Sequence, residues 1–425
     1  MIKRISMLAL LLILPSALMA FPLDAAKETG IARLEGYRLA QQGEVPGNRL
    51  VAGALLDMDR LVLRLQGQRG GQQDLPPPDP ELSQQLVQLL GDDAANYSIS
   101  VLDFTDPTQL RYAQHQADVI RNPGSVGKLL VALSLFQTLA DIYPDDIGAR
   151  EYVLRNSMIV ADAFMGSDHH KVPFWLAEKK RLLKRRLVEG DAANFWTYLD
   201  WMMSASSNAA ASMVFKHVML LRHFGLRYPV SRAEENDYFN NTAKKQLSQS
   251  LLSVLQQPVE RNGFDANRFR QGGFFSHTGK RRVPGSNSVA TARQLMLYLL
   301  WMEQGKLVDA WSSLQIKRLL YMTRHRIRYA SSPALNTAAV YFKSGSFYKC
   351  KPEANFVCKP YQGNVLNLMN SVAIIEAPAV DSVLRYMVVL TSNVLRQNSA
   401  VAQQSLATRL HRLMQDLHHV HAGQQ

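Results

Sequence analysis

The stretch Asn122-Pro123-Gly124-Ser125-Val126-Gly127-Lys128 runs directly into Leu129–Ile142, and its reading decides the fold. Leu129–Ile142 is helical in pattern, and Asn122-Pro123-Gly124 stops whatever precedes it. Ser125 therefore stands at a helix N-terminus, among free backbone N–H groups and in the positive end of the helix dipole. Lys128 lies three positions on, on the same face, and can reach the Ser125 hydroxyl. A lysine that is partly desolvated or crowded by other cations is neutral enough to accept a proton. S-x-x-K arises by chance in many chains, and this chain has a second, Ser346-Phe347-Tyr348-Lys349. That one falls at a predicted strand end, where positions three apart point to opposite faces, so its lysine cannot serve its serine.

Two further short patterns follow in order. Ser206-Ser207-Asn208 comes after Trp201-Met202-Met203 and before an alanine-rich helix. A hydroxyl and an amide two residues apart enter a site from one turn, although the same residues also serve as a helix cap. Lys343-Ser344-Gly345-Ser346 directly follows the strand pattern Ala338–Phe342. A lysine there supplies positive charge for a substrate carboxylate, Gly345 allows close approach to the backbone, and the next N–H can face a developing oxyanion. The competitor His277-Thr278-Gly279 reads as loop, after Gly272-Gly273 and ahead of the helix capped by Thr291.

S-x-x-K, S-x-N and K-[ST]-G in this order form the signature of class A β-lactamases and penicillin-binding proteins, and the sequence resembles that family of active-site serine hydrolases. Ser288–Leu307, with Ala290-Thr291-Ala292-Arg293 and Gln304-Gly305-Lys306-Leu307, looks like the helix before the third motif. The likeness covers about residues 80–415 and thins between Asn208 and Gly285. It implies Ser125 as acylated nucleophile, Lys128 as its base, Ser206 as proton shuttle and Asn208 as the holder of the acyl amide. It implies Lys343, Ser344 and Gly345 at the substrate carboxylate, with the N–H groups of Ser125 and Ser346 forming the oxyanion hole. The implied substrates are a β-lactam or the peptide end of peptidoglycan, with no cofactor and no metal.

The chain departs from the family at the water-activating glutamate, which class A enzymes carry in an Ω-shaped loop with an E-x-x-x-N pattern. Here Arg232–Asn241 contains Glu234, Glu235 and Asp237, and only Asp237 stands four before an asparagine. The deacylation base is left open among these three. Ser207 also occupies the place where class A enzymes commonly have aspartate. The resulting expectation is a serine hydrolase of class A β-lactamase type acting through a Ser125 acyl-enzyme. The alternatives are a D-alanyl-D-alanine peptidase on the same site and a non-catalytic envelope-binding protein that kept the fold.

Around these motifs the pattern is mixed. Leu50–Leu56 and Leu61–Leu65 read as a hairpin, and Gly67, Gly70, Gly71 and Pro76-Pro77-Pro78-Asp79-Pro80 as a linker. Residues 21–80 are thus expected to be an N-terminal extension, with a hydrolase domain over 81–425. Leu82, Leu86, Leu89 and Leu90 form a helix stripe. Tyr97–Phe104, Gln109–Gln116, Ala338–Phe342, Val372–Glu376 and Tyr386–Leu390 read as strands. Phe195–Met203, Ala209–His223, Gln246–Leu255, Thr291–Met302 and Ala402–Leu417 read as helices. Strands at both ends with helices between them predict an α+β fold, β-lactamase/transpeptidase-like, whose antiparallel sheet joins early and late segments.

Lys3, Arg4 and the apolar run Ile5–Ala17, broken by Pro15 and followed by Ala20, predict a secretory signal over 1–20 and a periplasmic protein. No membrane span remains after its cleavage. In an oxidising compartment, Cys350 and Cys358 are expected to form a local disulfide. Lys+Arg number 48 against 35 Asp+Glu, a net charge of +13. Export rules out nucleic acid as the counterpart of that charge and leaves anionic envelope polymers. The densest run, Lys179 to Arg186, reads as a solvated helix face behind Leu182, Leu183 and Leu187. His169-His170 has no third ligand at sensible spacing, so no metal is expected.

Overall fold

The computed structural model describes residues 24–47, 49–67, 74–166, 168–322 and 326–420; the expected signal segment and Gly70-Gly71 lie outside them. The strands are β1 (Tyr97–Asp103), β2 (Arg111–His115), β3 (Met158–Val160), β4 (Val172–Leu176), β5 (Arg181–Arg185), β6 (Ala192–Asn194), β7 (Ala339–Lys349), β8 (Leu366–Ala377) and β9 (Leu384–Asn393). The first half carries helices α1 (Ala25–Thr29), α2 (Ala32–Gln42), α3 (Pro80–Leu90), α4 (Lys128–Ile142), α5 (Ile147–Asn156), α6 (Phe195–Met203) and α7 (Asn208–Phe224). The second half adds α8 (Arg232–Asn241), α9 (Lys244–Arg261), α10 (His277–Arg282), α11 (Ala292–Glu303), α12 (Ala310–Tyr321) and α13 (Ser399–Leu417).

The main sheet has the order β2-β1-β9-β8-β7, antiparallel throughout, so the chain's early strands pair with its late ones. Period-two alternation sends its side chains into two cores. Val340, Phe342, Ile99, Val101, Tyr386 and Val388 pack against Leu82 and Leu86 of α3 and Leu406 and Leu410 of α13. Tyr341, Leu102, Ile374, Met387 and Val389 face the helical side, where α4, α6, α7 and α11 bury their apolar stripes. The α4 helix is buried from Lys128 to Leu139; together with the turn before it, Gly124–Ile142 is long and apolar enough to cross a membrane, but here it is the centre of a core. Thr291 caps α11 through its hydroxyl, as its position predicts.

Four sequence expectations change. Residues 24–65 are not a separate extension: Ala25, Ile31, Leu34, Leu56, Met58, Leu61 and Leu65 belong to the helical-side core. The buried Arg33 of α2 pairs with Asp200 of α6 and donates to the Met322 carbonyl. Leu50–Leu65 forms 3₁₀ turns at Ala52–Ala54 and Met58–Arg60 rather than a hairpin. Its backbone partners lie elsewhere, since Gly53 N–H donates to the Asn336 carbonyl and Leu56 N–H to the Tyr321 hydroxyl. A Cβ at Gly53 would strike the Ala338 backbone, so this segment lies directly against the start of β7.

The basic run is a hairpin strand, not a helix face. Lys180 turns the chain at φ 43°, and β5 pairs with β4, setting Leu182 opposite Trp175 and Leu183 opposite Phe174. Cross-strand aromatic–aliphatic pairs hold this ribbon, and the Arg185 guanidinium stacks 3.9 Å from the Phe174 ring. Gly36 of α2 leaves room for Trp175 and Leu182. Finally, His277-Thr278-Gly279 opens the short helix α10, capped by Ser276, instead of a loop.

Candidate active site

Asn122-Pro123-Gly124 ends the preceding segment, and Gly124–Gly127 makes a 3₁₀ turn that leads into α4. The Ser125 hydroxyl and the Lys128 amine are therefore on one face, 2.9 Å apart. The edge strand β7 passes over this turn. A Cβ at Gly345 would lie 2.5 Å from both the Ser125 nitrogen and the Pro123 carbonyl oxygen, so only glycine fits. A Cβ at Gly124, which has φ 54°, would lie 3.2 Å from the Ser346 nitrogen, so the N–H-bearing segments of Ser125 and Ser346 abut.

Ser206 joins the two lysines. Its carbonyl accepts from Lys128 Nζ at 2.7 Å and its hydroxyl from Lys343 Nζ at 2.8 Å. It holds left-handed backbone at φ 57°, a strained state that such bonding sustains. Asn208, the first residue of α7, offers its side-chain oxygen to Lys128 at 2.7 Å. Lys343 also donates to the Ser344 carbonyl. Two of the three Lys128 partners are oxygens that only accept, while Ser125 carries a hydroxyl proton. A neutral amine donating to Ser206 and Asn208 keeps its lone pair for that hydroxyl.

The electrostatics agree. Burial pushes Lys128 down to about 7, against the opposing pull of Asp168. Burial likewise holds Lys343 well below its ordinary range, with the charges of Lys128 and Arg328 adding to it. The Phe275 ring lies 4.8 Å from Lys128 Nζ and closes that side to water. Gln271 packs beside it, its side-chain oxygen against Gly127.

These groups share one cleft of about 590 Å³, in the range of small-molecule sites. Ser125, Ser206, Asn208, Lys343, Ser344, Gly345 and Ser346 line it. His169, His170 and Lys171 form one wall. Arg328, Tyr348 and Tyr361 form another, and the Cys350–Cys358 disulfide closes the loop that delivers Tyr361. The half-buried Arg328 donates to the hydroxyls of Ser344 and Ser346 at 2.9 and 3.0 Å, 5.0 Å from the Tyr361 ring. Arg328 carries no sequence motif and is missed by reasoning from the chain alone.

Glu234, Glu235 and Asp237 do not line the cleft. All three lie on α8. Glu234 completes a capping box with Ser231 and pairs with Arg227. Glu235 is bound to the buried Lys216, and Asp237 accepts from Asn241 one turn on along the helix surface. The spacing that resembles a catalytic pattern is here an ordinary i,i+4 pair.

The carboxylate beside the motifs is Asp168. Its Oδ2 accepts from the Ser207 hydroxyl at 2.9 Å and from the N–H groups of Asn208 and Ala209 at 2.7 and 3.0 Å. Its Oδ1 is 2.6 Å from His170 Nδ1. The His169-His170 pair thus does have an acidic neighbour, with ligand-type atoms of all three residues within 4.8 Å. Both Asp168 oxygens are already bonded to protein, which makes this a hydrogen-bonded cluster.

No family model and no curated protein matches the chain. Solved structures do share its fold. The β-lactamase from Sphaerobacter thermophilus is 14% identical with a TM-score of 0.50, over 77% of this chain and 94% of its own. The TLA-3 extended-spectrum β-lactamase is 11% identical with a TM-score of 0.52, over 79% and 98%. A mutant of PBP-A, solved as an acyl-enzyme complex with penicillin G, is 12% identical with a TM-score of 0.50, over 80% and 100%. The fold is therefore α+β and β-lactamase/transpeptidase-like, as the motif order predicts.

Proposed function

We propose that this protein is an exported active-site serine hydrolase of the β-lactamase type, which opens a β-lactam or related amide through an acyl-enzyme on Ser125. The observation that carries the reading is the buried Lys128, whose amine touches the Ser125 hydroxyl and has its other partners in two accepting oxygens. The Ser125 oxygen attacks the amide carbon while its proton passes to Lys128. The departing amide nitrogen then takes a proton from the Ser206 hydroxyl, which is held by Lys343 and is restored by the proton that Lys128 accepted. The N–H groups of Ser125 and Ser346 hold the oxyanion. Asn208 holds the acyl amide, and Lys343, Ser344 and Gly345, joined by Arg328, receive the substrate carboxylate.

A second reading, a penicillin-binding D-alanyl-D-alanine peptidase of peptidoglycan, is favoured by one observation. Glu234, Glu235 and Asp237, the carboxylates nearest in sequence to the place of the water-activating glutamate, do not line the cleft. A non-catalytic envelope-binding role leaves the Ser125–Lys128 contact unexplained. The disulfide supports a periplasmic location. The exposed Lys179, Lys180, Arg181, Lys184 and Arg186 beside and on the β5 ribbon suit anionic envelope polymers.

The test is intact-mass analysis after incubation with a penicillin, followed by peptide mapping. The reading predicts one added penicillin mass on the peptide containing Ser125 and none on Ser125→Ala. A wild-type protein that stays unmodified and also leaves the penicillin intact would overturn it.

A further inference from the structure

His170 is a half-buried imidazole that the mechanism above does not use. It lines the cleft with Ser125, Ser206 and Asn208. Its Nδ1 faces Asp168 Oδ1 at 2.6 Å, which fixes the proton on Nδ1 and leaves the Nε2 lone pair free. No hydrogen-bond partner of Nε2 is present among the described residues. Its ring lies 4.1 Å from that of His169, and its side chain keeps 24% exposure.

Asp168 is built to stay ionised. Burial raises its pKa. The bond from His170, the charge of His170 and the Ala209 N–H more than reverse this, so it sits well below the usual carboxylate range. Its other oxygen is seated on the Ser207 hydroxyl and the first N–H groups of the 17-residue α7, where a negative charge is favoured. One carboxylate thus orients the imidazole and anchors Asn208.

We propose that His170, oriented by Asp168, is the general base that activates water against the Ser125 acyl-enzyme. The inference rests on the acyl-enzyme reading above and supplies the base that α8 does not. The water oxygen bonds to the acyl carbon while its proton passes to His170 Nε2. The ester bond to Ser125 then breaks, the departing oxygen takes up the proton that His170 received, and the acyl group leaves as a carboxylic acid. The groups facing His170 are Asp168 and His169 from its own segment, the N-terminus of α7, and Lys128 from α4. Burial lowers the His170 pKa, the Asp168 hydrogen bond and charge oppose it, and Lys128 and His169 add to the lowering, so the imidazole is neutral at pH 7.

The experiment follows a fluorescent penicillin on the wild type, His170→Ala and His170→Gln, timing both attachment and release. Attachment reads the acyl-enzyme, and also shows that each variant is folded. Release reads the role of His170. We expect attachment near the wild-type rate in both variants and release slowed by about a hundredfold. Added imidazole should restore release in His170→Ala but not in His170→Gln, which a merely structural role would not produce. Wild-type release should fall in acid as His170 gains its proton, at a pH below the ordinary histidine range, and the variants should lose that dependence. Release unchanged in the variants, or a wild type that keeps its label, would overturn the proposal. A wild type that never takes the label removes the acyl-enzyme reading and this step with it.

Discussion

Lys128 and Lys317 are both fully buried, and they keep opposite company. Lys317 on α12 lies between Glu303 and Glu376, at 2.6 and 2.8 Å, and donates to the Val62 carbonyl at 2.7 Å. Arg64 joins the same Glu376 at 2.8 Å. Lys216 repeats the design between Asp162 and Glu235. The bonded partners of Lys128 are a hydroxyl, a carbonyl and an amide oxygen. A buried ammonium between carboxylates is held charged and acts as a structural tie. A buried amine among neutral oxygens gives up its proton and becomes a base. Burial is the same at both lysines; the partners differ, and they separate the part of the molecule that holds the fold from the part to which we assign the chemistry.

The sharpest way to break this contrast is to replace each lysine with methionine. Lys128→Met should lower Ser125 acylation by about 10²–10⁴, measured as the rate of penicillin attachment. It should leave thermal stability unchanged or higher, because it removes a polar amine whose burial is costly. Between pH 7 and 10.5 the unfolded chain keeps a lysine proton that folded Lys128 has lost, so Lys128 makes stability rise with pH in that window. Denaturant titrations across the window should show that part of the rise missing in Lys128→Met.

Lys317→Met should do the reverse. It leaves Glu303 and Glu376 without their shared cation and should cost about 3–5 kcal/mol in denaturant titrations, while the folded fraction still takes penicillin at the wild-type rate. A loss of acylation with intact stability there would erase the distinction. The smallest effect concerns the loop behind Tyr361. Replacing Cys350 and Cys358 together with serine should cost about 2–3 kcal/mol, with attachment kept. A complete loss of attachment would move that loop from the wall of the cleft into its machinery.

The convergence of the motifs was legible because its signals are local. Ser125 and Lys128 meet within one helical turn, and Lys343 follows its own strand, so order and spacing sufficed to predict both the cleft and the α+β fold. The rest depends on pairs remote in sequence. Nothing near Arg33 names Asp200, and nothing near Leu56 or Leu61 shows that they fill the helical-side core. The spacing of Leu182, Leu183 and Leu187, one and then four residues apart, fits a helix, but pairing with β4 overrides it. Ser207, out of pattern for class A enzymes, is explained the same way, because its hydroxyl meets a carboxylate brought from Asp168. Glu235 looked like a candidate base until its partner, Lys216, was seen to bind it.

The account's central claim is that Lys128 is a neutral base at Ser125, and the pH dependence of wild-type Ser125 acylation tests it most directly. The rate of penicillin attachment would be measured from mildly acidic to mildly alkaline pH. With the Lys128 pKa pushed down to about 7, the rate should be level above neutrality and fall progressively below it as the amine gains its proton. A rate that stays flat through mild acid would contradict the claim.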